Sequence, residues 1–201
     1  MLDLAHRRVV YGRRINVLAR HLIELLPHDA SILDVGSGDG LLASRVLAAR
    51  PDVKIQGVDV MSRPESHIPV TLFDGVRLPF GDRQFDAVMM IDVLHHASDQ
   101  QALLRDIARV AERAVVIKDH VVQGFVARPT LSFMDWVGNA RHGVSLPYSY
   151  WTADEWREQF ERVGLRTSVR REHLGLYPWP ASLLFERGLH FISVLEPTHP
   201  R

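Results

Sequence analysis

Residues 31–40 read SILDVGSGDG, and this stretch decides the fold. Ser31, Ile32, Leu33 and Val35 make an apolar run too brief for a helix and rich enough in β-formers for a buried strand. Gly36, Gly38 and Gly40 follow at alternate positions, and then helical text begins with LLASRVLAAR. Strand, glycine turn and helix in that order let a ligand lie against bare backbone, beside the free N–H groups of the helix start. The spacing is GxGxG, and Leu41 stands where a third glycine of GxGxxG would fall. Asp34 and Asp39 flank the turn. A pyrophosphate would be repelled by Asp39, whereas a positively charged ligand would not.

Outward from the loop, the next helix carries Leu41, Leu42, Val46 and Leu47 and ends at Arg50-Pro51. VKIQGVDV, 53–60, is a second strand. It ends in Asp59, about 20 residues past the loop, where an acid can accept hydrogen bonds from both hydroxyls of a ribose. Residues 61–68 are too few for a crossover helix. PVTLF, 69–73, is a third strand, followed by the turn-forming pair Asp74-Gly75. FDAVMMI, 85–91, is almost wholly apolar, as a strand covered on both faces should be. Its carboxyl end delivers Asp92, Val93, Leu94, His95 and His96 to the edge where open α/β sheets bind ligands. Ser98-x-x-Gln101 reads as a capping box ahead of a helix that buries Leu103, Ile107 and Val110. RAVVIKDH, 113–120, is a fifth strand with polar residues at the same edge.

The run Asp34-Val35-Gly36-Ser37-Gly38-Asp39-Gly40 resembles the first motif of class I S-adenosylmethionine-dependent methyltransferases. LPFGDRQFDAVMMIDVLHH, 78–96, resembles the matching stretch of the small-molecule and quinone methyltransferases. The resemblance covers residues 30–120 through four motifs in order and reaches the C-terminus only by topology. It implies an α/β, Rossmann-like, seven-stranded, mostly parallel sheet with an antiparallel last strand and helices on both faces. It also implies S-adenosylmethionine as cofactor, held by Asp34, Gly36, Ser37, Gly38, Asp59, Val60, Asp74, Gly75, Ile91 and Asp92. Within that set Asp59 would take the ribose, Asp74 the adenine amino group, and Gly75 would leave room for the ring. Residues 3–26 form an amphipathic helix with Ile15, Leu18, Leu22 and Leu25 inward, stopped by Pro27. Arg7, Arg8, Arg13 and Arg14 read as its solvated face. In methyltransferases of this type such a helix often serves as a flap, which would bring Tyr11 or Arg14 over the cofactor.

Val121 to Trp151 is the least regular part, and about thirty residues is long for a connection that usually takes 2–6. It holds Phe125, Phe133, Trp136, Tyr148, Tyr150 and Trp151. LSFMDWVG could form a short helix, and the segment is expected to be a substrate lid within one domain spanning 1–201. Thr152-x-x-Glu155 is a second capping box, opening a helix that buries Trp156, Phe160 and Val163 and ends at Gly164. LRTSVRRE is a sixth strand and LHFISVLEP, 189–197, the last, tucked beside the fifth.

Methyl transfer from a sulfonium is an in-line displacement, so alignment and water exclusion come first. A base matters where the nucleophile holds its proton at neutral pH, and His96 and His120 are the candidates. Asp92 and Asp119 are their candidate orienting partners, or contacts to the cofactor's ammonium. His95 points opposite to His96 if the strand continues that far, and is expected to be structural. Asp92, His95, His96, Asp119 and His120 would suit zinc or iron by type, but adjacent histidines rarely face one centre, and no metal is expected.

Equal numbers of basic and acidic residues, 24 each, give no global field toward nucleic acid or an acidic membrane. The Asn/Asp-Pro-Pro-aromatic motif of base-amino methyltransferases is absent at Ile91-Asp92-Val93-Leu94. With no cysteine, no signal-peptide core and no run of transmembrane length, a cytoplasmic protein is expected. The reading is a methyltransferase moving a methyl group to an O, N or C atom of a small, apolar or aromatic molecule. A non-catalytic cofactor-binding scaffold stays open. So does a macromolecular acceptor recognised through Arg7, Arg8, Arg13 and Arg14 or Arg166, Arg170 and Arg171. Oligomeric state is not readable.

Overall fold

Seven strands join one sheet in the order β3-β2-β1-β4-β5-β7-β6. The structure is a computed structural model that describes residues 2–139 and 149–198, with side chains described for 12–137 and 149–198. The strands are β1 (Ser31–Val35), β2 (Lys54–Asp59), β3 (Val70–Leu72), β4 (Phe85–Ile91), β5 (Ala111–His120), β6 (Leu165–Arg171) and β7 (His190–Pro197). The first five pair in parallel, and β7 runs antiparallel between β5 and β6. This is the mostly parallel sheet with an antiparallel last strand that the sequence implied.

The helices are α1 (Leu2–Leu25), α2 (Leu41–Ala49), α3 (Gln100–Val110), α4 (Ala127–Asn139), α5 (Ala153–Arg162) and α6 (Ser182–Phe185). Strand side chains alternate between faces, and in the central strands both faces are covered. Leu33, Val35, Val88, Met90, Val115 and Ile117 meet Leu103, Leu104 and Ile107 of α3 and Trp156 and Phe160 of α5. On the other face Ile32, Ala87, Met89 and Val116 meet Val17, Leu18 and Leu22 of α1 and Ala43 and Val46 of α2. That double coverage explains why FDAVMMI shows no period: five of its seven positions are buried, and Asp86 and Ile91 are partly covered.

Two details differ from the sequence expectation. The cap of α3 is Asp99, whose side chain accepts from the Ala102 N–H at 2.9 Å, not Ser98. The helix starts at Gln100, so the extended residue just ahead of it, with φ −128°, is the one placed to cap. Within 121–151 the helix α4 is longer than LSFMDWVG alone, and Tyr148 lies outside the described residues. The capping box at Thr152 forms in full. Among the described residues no helix is long and apolar enough to cross a membrane.

Candidate functional site

Between β1 and β4 the strand order reverses, so the loops leaving their carboxyl ends diverge and open a crevice. A cavity of about 990 Å³ fills it. One side is lined by Asp34, Gly36, Ser37, Gly38, Asp59, Val60, Asp74 and Gly75; the other by Asp92, His95, His96, His120 and Asp135. Arg14 and Ile91 also line it, so the residues expected to hold the cofactor and both candidate base histidines border one cavity.

The glycine turn is pinned to β2, because the N–H groups of Gly36 and Ser37 both donate to the Val58 carbonyl, at 2.8 and 3.1 Å. Gly36 has φ +71°, and a Cβ there would fall 2.3 Å from Val93 Cγ2. At Gly38, with φ +59°, a Cβ would meet nothing within 4 Å. That open space is where a ligand can approach the backbone. The Gly38 N–H donates to Asp59 Oδ2 at 2.8 Å and the Met61 N–H to Asp59 Oδ1 at 2.9 Å. The carboxylate therefore faces the turn, and each oxygen keeps capacity to accept from a hydroxyl. Ser37 Oγ is buried against Gly57 of β2 without a hydrogen-bond partner.

Asp34 sits beneath this turn, 4% exposed. Burial first, and the nearby Asp59 charge second, push its carboxyl up to about 8. It holds a proton at neutral pH that a cationic ligand would release. Asp74 accepts through Oδ1 from the N–H groups of Val76 and Arg77, both at 2.8 Å, which holds it below the usual carboxylate range. Gly75, at φ +84°, faces the exposed side chain of Val60 at the cavity rim.

The opposite wall is built from buried charge. After β4 the chain turns at Asp92, which adopts φ +58°. Its carboxylate pairs with Arg14 of α1 at 2.5 Å and with the fully buried Lys118 of β5. Burial would raise the Asp92 carboxyl, but these two cations hold it well below the usual range. Lys118 and His120 share one face of β5, and Asp119 points to the other. There Asp119 accepts from the Leu94 N–H at 3.1 Å and meets His95 Nδ1 at 2.6 Å.

Residues 94–96 form a 3-10 turn, not more strand. The condition for His95 and His96 to point apart, a strand reaching that far, is therefore not met: their ring centroids lie 4.0 Å apart and both line the cavity. His95 Nε2 is 3.4 Å from Asp135 Oδ2, so the imidazole lies between two buried carboxylates. Burial opposes its charge, but Asp119 and then Asp135 raise its pKa above the ordinary value. Burial, then the His95 charge, lowers His96. Burial, then Lys118 and His95, puts His120 well below the ordinary imidazole. Among the described residues His95, His96 and Asp135 could bring ligand atoms within 4.8 Å of one another. These adjacent histidines do face one centre, although in this arrangement a proton on His95 meets the charge of both carboxylates.

Two further expectations are corrected. Asp119 orients His95, not His96 or His120, because strand alternation turns it to the other face. Phe125, Phe133 and Trp136 are exposed at 101%, 54% and 57% and do not line the cavity. The segment 121–151 contributes Met134 and Asp135 instead, from the inward stripe of α4. Arg14 does reach over the site, and the side chain of Tyr11 lies outside those described.

Sequence reasoning missed Asp135, Lys118, Tyr177 and His190, and placed Tyr150 only among the aromatics of the expected lid. Tyr150 Oη donates to Asp135 Oδ2 at 2.5 Å, and Arg14 lies 3.5 Å from Tyr177 Oη. Only Lys118 left a signal: a lysine inside the apolar strand RAVVIKDH needs a buried partner.

A family profile described as a methyltransferase domain matches residues 5–168. A demethylmenaquinone methyltransferase of Tropheryma whipplei is 35% identical over 109 residues, 48% of this chain and 44% of that protein. The chain spans less than half the length of such curated relatives. A Haloferax volcanii chain solved in complex with the Trm112 methyltransferase activator superposes with a TM-score of 0.68 at 17% identity, covering 90% of this chain and 89% of that one. A Burkholderia thailandensis 1,6-didemethyltoxoflavin-N1-methyltransferase, solved with its substrate and S-adenosylhomocysteine, gives 0.66 at 17%, covering 92% and 79%. These structures share the fold, and the profile covers most of the sequence: the chain belongs to the methyltransferase domain family.

Proposed function

We propose that this chain moves a methyl group from S-adenosylmethionine to a small molecule. The observation that carries the reading is the Asp59 carboxylate, bonded to the Gly38 N–H at 2.8 Å beside open space that a Cβ would fill. An acid there suits the ribose hydroxyls. Asp34 and Asp92 offer negative charge to its ammonium. Val60 and Gly75 offer an apolar edge and clearance for the adenine, with Asp74 at the amino group. When bound, the cofactor supplies a methyl group on a positively charged sulfur. The chain's own residues orient the acceptor, exclude water and take up a proton where the acceptor releases one.

His96 and His120 stand where a base is needed, and both are neutral near pH 7 by the shifts above. A small acceptor fits the acid-rich wall and the small-molecule titles among the relatives. Recognition of a macromolecule through Arg166, Arg170 and Arg171 is weakened by their ion pairs with Glu196, Glu172 and Glu24. The absence of cysteine suits the reducing cytoplasm. Calorimetric titration with S-adenosylhomocysteine and with NAD tests the cofactor, and a panel of O-, N- and C-acceptors with S-adenosylmethionine tests turnover. Binding of the first and not the second, with methylation of one acceptor class, is expected. Binding without turnover on any acceptor would favour the scaffold reading, and binding of NAD alone would overturn both.

A further inference from the structure

His190 was never singled out by sequence, yet it sits directly opposite His120 across the antiparallel β5–β7 pair. Its Nε2 is 3.0 Å from the Phe185 carbonyl, which can only accept, so Nε2 carries the proton. Its Nδ1 then bears the lone pair, facing Lys118 Nζ at 3.3 Å and His120 Nδ1 at 3.1 Å. Both of these must donate. Were His120 unprotonated at Nδ1, two lone pairs would face each other in a dry site, which costs more than a missing hydrogen bond. At Nε2 the nearest oxygens, Asp135 Oδ1 at 3.4 Å and Asp92 Oδ1 at 3.7 Å, are not in hydrogen-bonding geometry, whereas the Nδ1 contact at 3.1 Å is; the proton of a neutral His120 therefore sits on Nδ1, and Nε2 presents its lone pair to the cavity. Burial, then Lys118 and His120, keeps His190 itself neutral.

We propose that His190 is a positioning residue that locks His120 in its Nδ1–H form, so that Nε2 takes the proton of an N–H or O–H methyl acceptor. This rests on the methyl-transfer reading and narrows it to nitrogen or oxygen acceptors. In the balanced step the acceptor's lone pair bonds to the methyl carbon and the methyl–sulfur bond breaks with its electron pair left on sulfur. The acceptor's proton passes to His120 Nε2. The products are the methylated acceptor, S-adenosylhomocysteine and an imidazolium. Asp135 Oδ1 at 3.4 Å and Asp92 Oδ1 at 3.7 Å stand beside Nε2, where that positive charge develops. The other groups facing the ring are Lys118 and Asp119 on its own strand, His95 from the turn after β4 and Tyr150. The logic is that of a base held in one tautomer by a group behind it, with an imidazole in place of the usual carboxylate.

Long-range proton–nitrogen NMR of protein carrying nitrogen-15 histidine, with S-adenosylhomocysteine bound, reads the tautomers without knowledge of the acceptor. The expected spectrum has His120 protonated at Nδ1 and His190 at Nε2 at neutral pH. H190L should move the His120 proton to Nε2, and H190Q, whose amide oxygen can accept from Nδ1–H, should restore the native form. On whichever N–H or O–H acceptor the panel identifies, H190L should lower kcat at least about tenfold with KM little changed, and H190Q should recover most of it. A wild-type His120 protonated at Nε2, or at both nitrogens, overturns the proposal even if H190L does not fold. If S-adenosylhomocysteine binds in that case, the methyl-transfer reading survives alone. If it does not bind at all, both fall together.

Discussion

The two walls of the cavity are made in opposite ways. The wall over residues 36–40 and 59–75 is mostly backbone: glycine N–H groups, one carboxylate facing them and a short turn that satisfies Asp74 from its own chain. The facing wall consists of charged and imidazole side chains drawn from α1, the turn after β4, β5 and α4, backed by His190 of β7, and none of these is near all the others in sequence. A backbone cradle needs spacing, which a short stretch of sequence can carry. A buried charge cluster needs partners, and those are supplied by the topology.

The largest effect that would test this contrast is expected on the charged wall. Asp92→Ala leaves Arg14 and the buried Lys118 without their shared carboxylate, and should cost about 3–5 kcal/mol in urea unfolding. A loss below about 1 kcal/mol would mean the cluster is wetter and less coupled than its geometry implies. On the backbone wall the expectation is reversed, with binding hit harder than stability. Gly38→Val puts a branched side chain at φ +59° into the open cradle. It should cost about 1–2 kcal/mol of stability but weaken S-adenosylhomocysteine by about a hundredfold or more in calorimetry.

That division also accounts for what could be read in the sequence. FDAVMMI and SILDV declared themselves as buried strands because both faces of a parallel sheet are covered, and Asp59 was placed by its distance from the glycine turn. His190 could not be placed, since its partner His120 is set by an antiparallel register that no local pattern encodes. Asp135 was hidden in a helix whose louder residues, Phe133 and Trp136, point to solvent. The relation of His95 to His96 hung on how far the strand runs, since alternation holds only while it lasts and β4 stops at Ile91.

A smaller effect concerns Asp34, whose carboxyl is raised to about 8. An ammonium-bearing ligand favours its ionised form, so binding should release a proton below pH 8. Calorimetry in buffers of different ionisation enthalpy would show this. Affinity should fall by up to about tenfold per unit as pH drops from 8 toward 6, and Asp34→Asn should abolish the proton release. For the unliganded protein the sign is opposite. A carboxyl raised in the folded state binds its proton where the unfolded chain has lost it, so its contribution makes stability fall as pH rises between about 4 and 8. The smallest effect is expected outside both walls: Trp136→Ala should change unfolding free energy by no more than about 0.5 kcal/mol and leave S-adenosylhomocysteine affinity unaltered. A clear loss of binding in that variant would return the exposed face of α4 to the site.

The account turns on the cradle formed by the glycine turn and Asp59, and one titration addresses it: S-adenosylhomocysteine into wild-type protein and into Asp59→Ala, by calorimetry at pH 8. The wild type should bind one equivalent, and the variant about a hundredfold more weakly, as expected for losing hydrogen bonds to a charged acceptor at roughly 1.5–3 kcal/mol each. Equal affinity in the two proteins, or no heat from either, would contradict it.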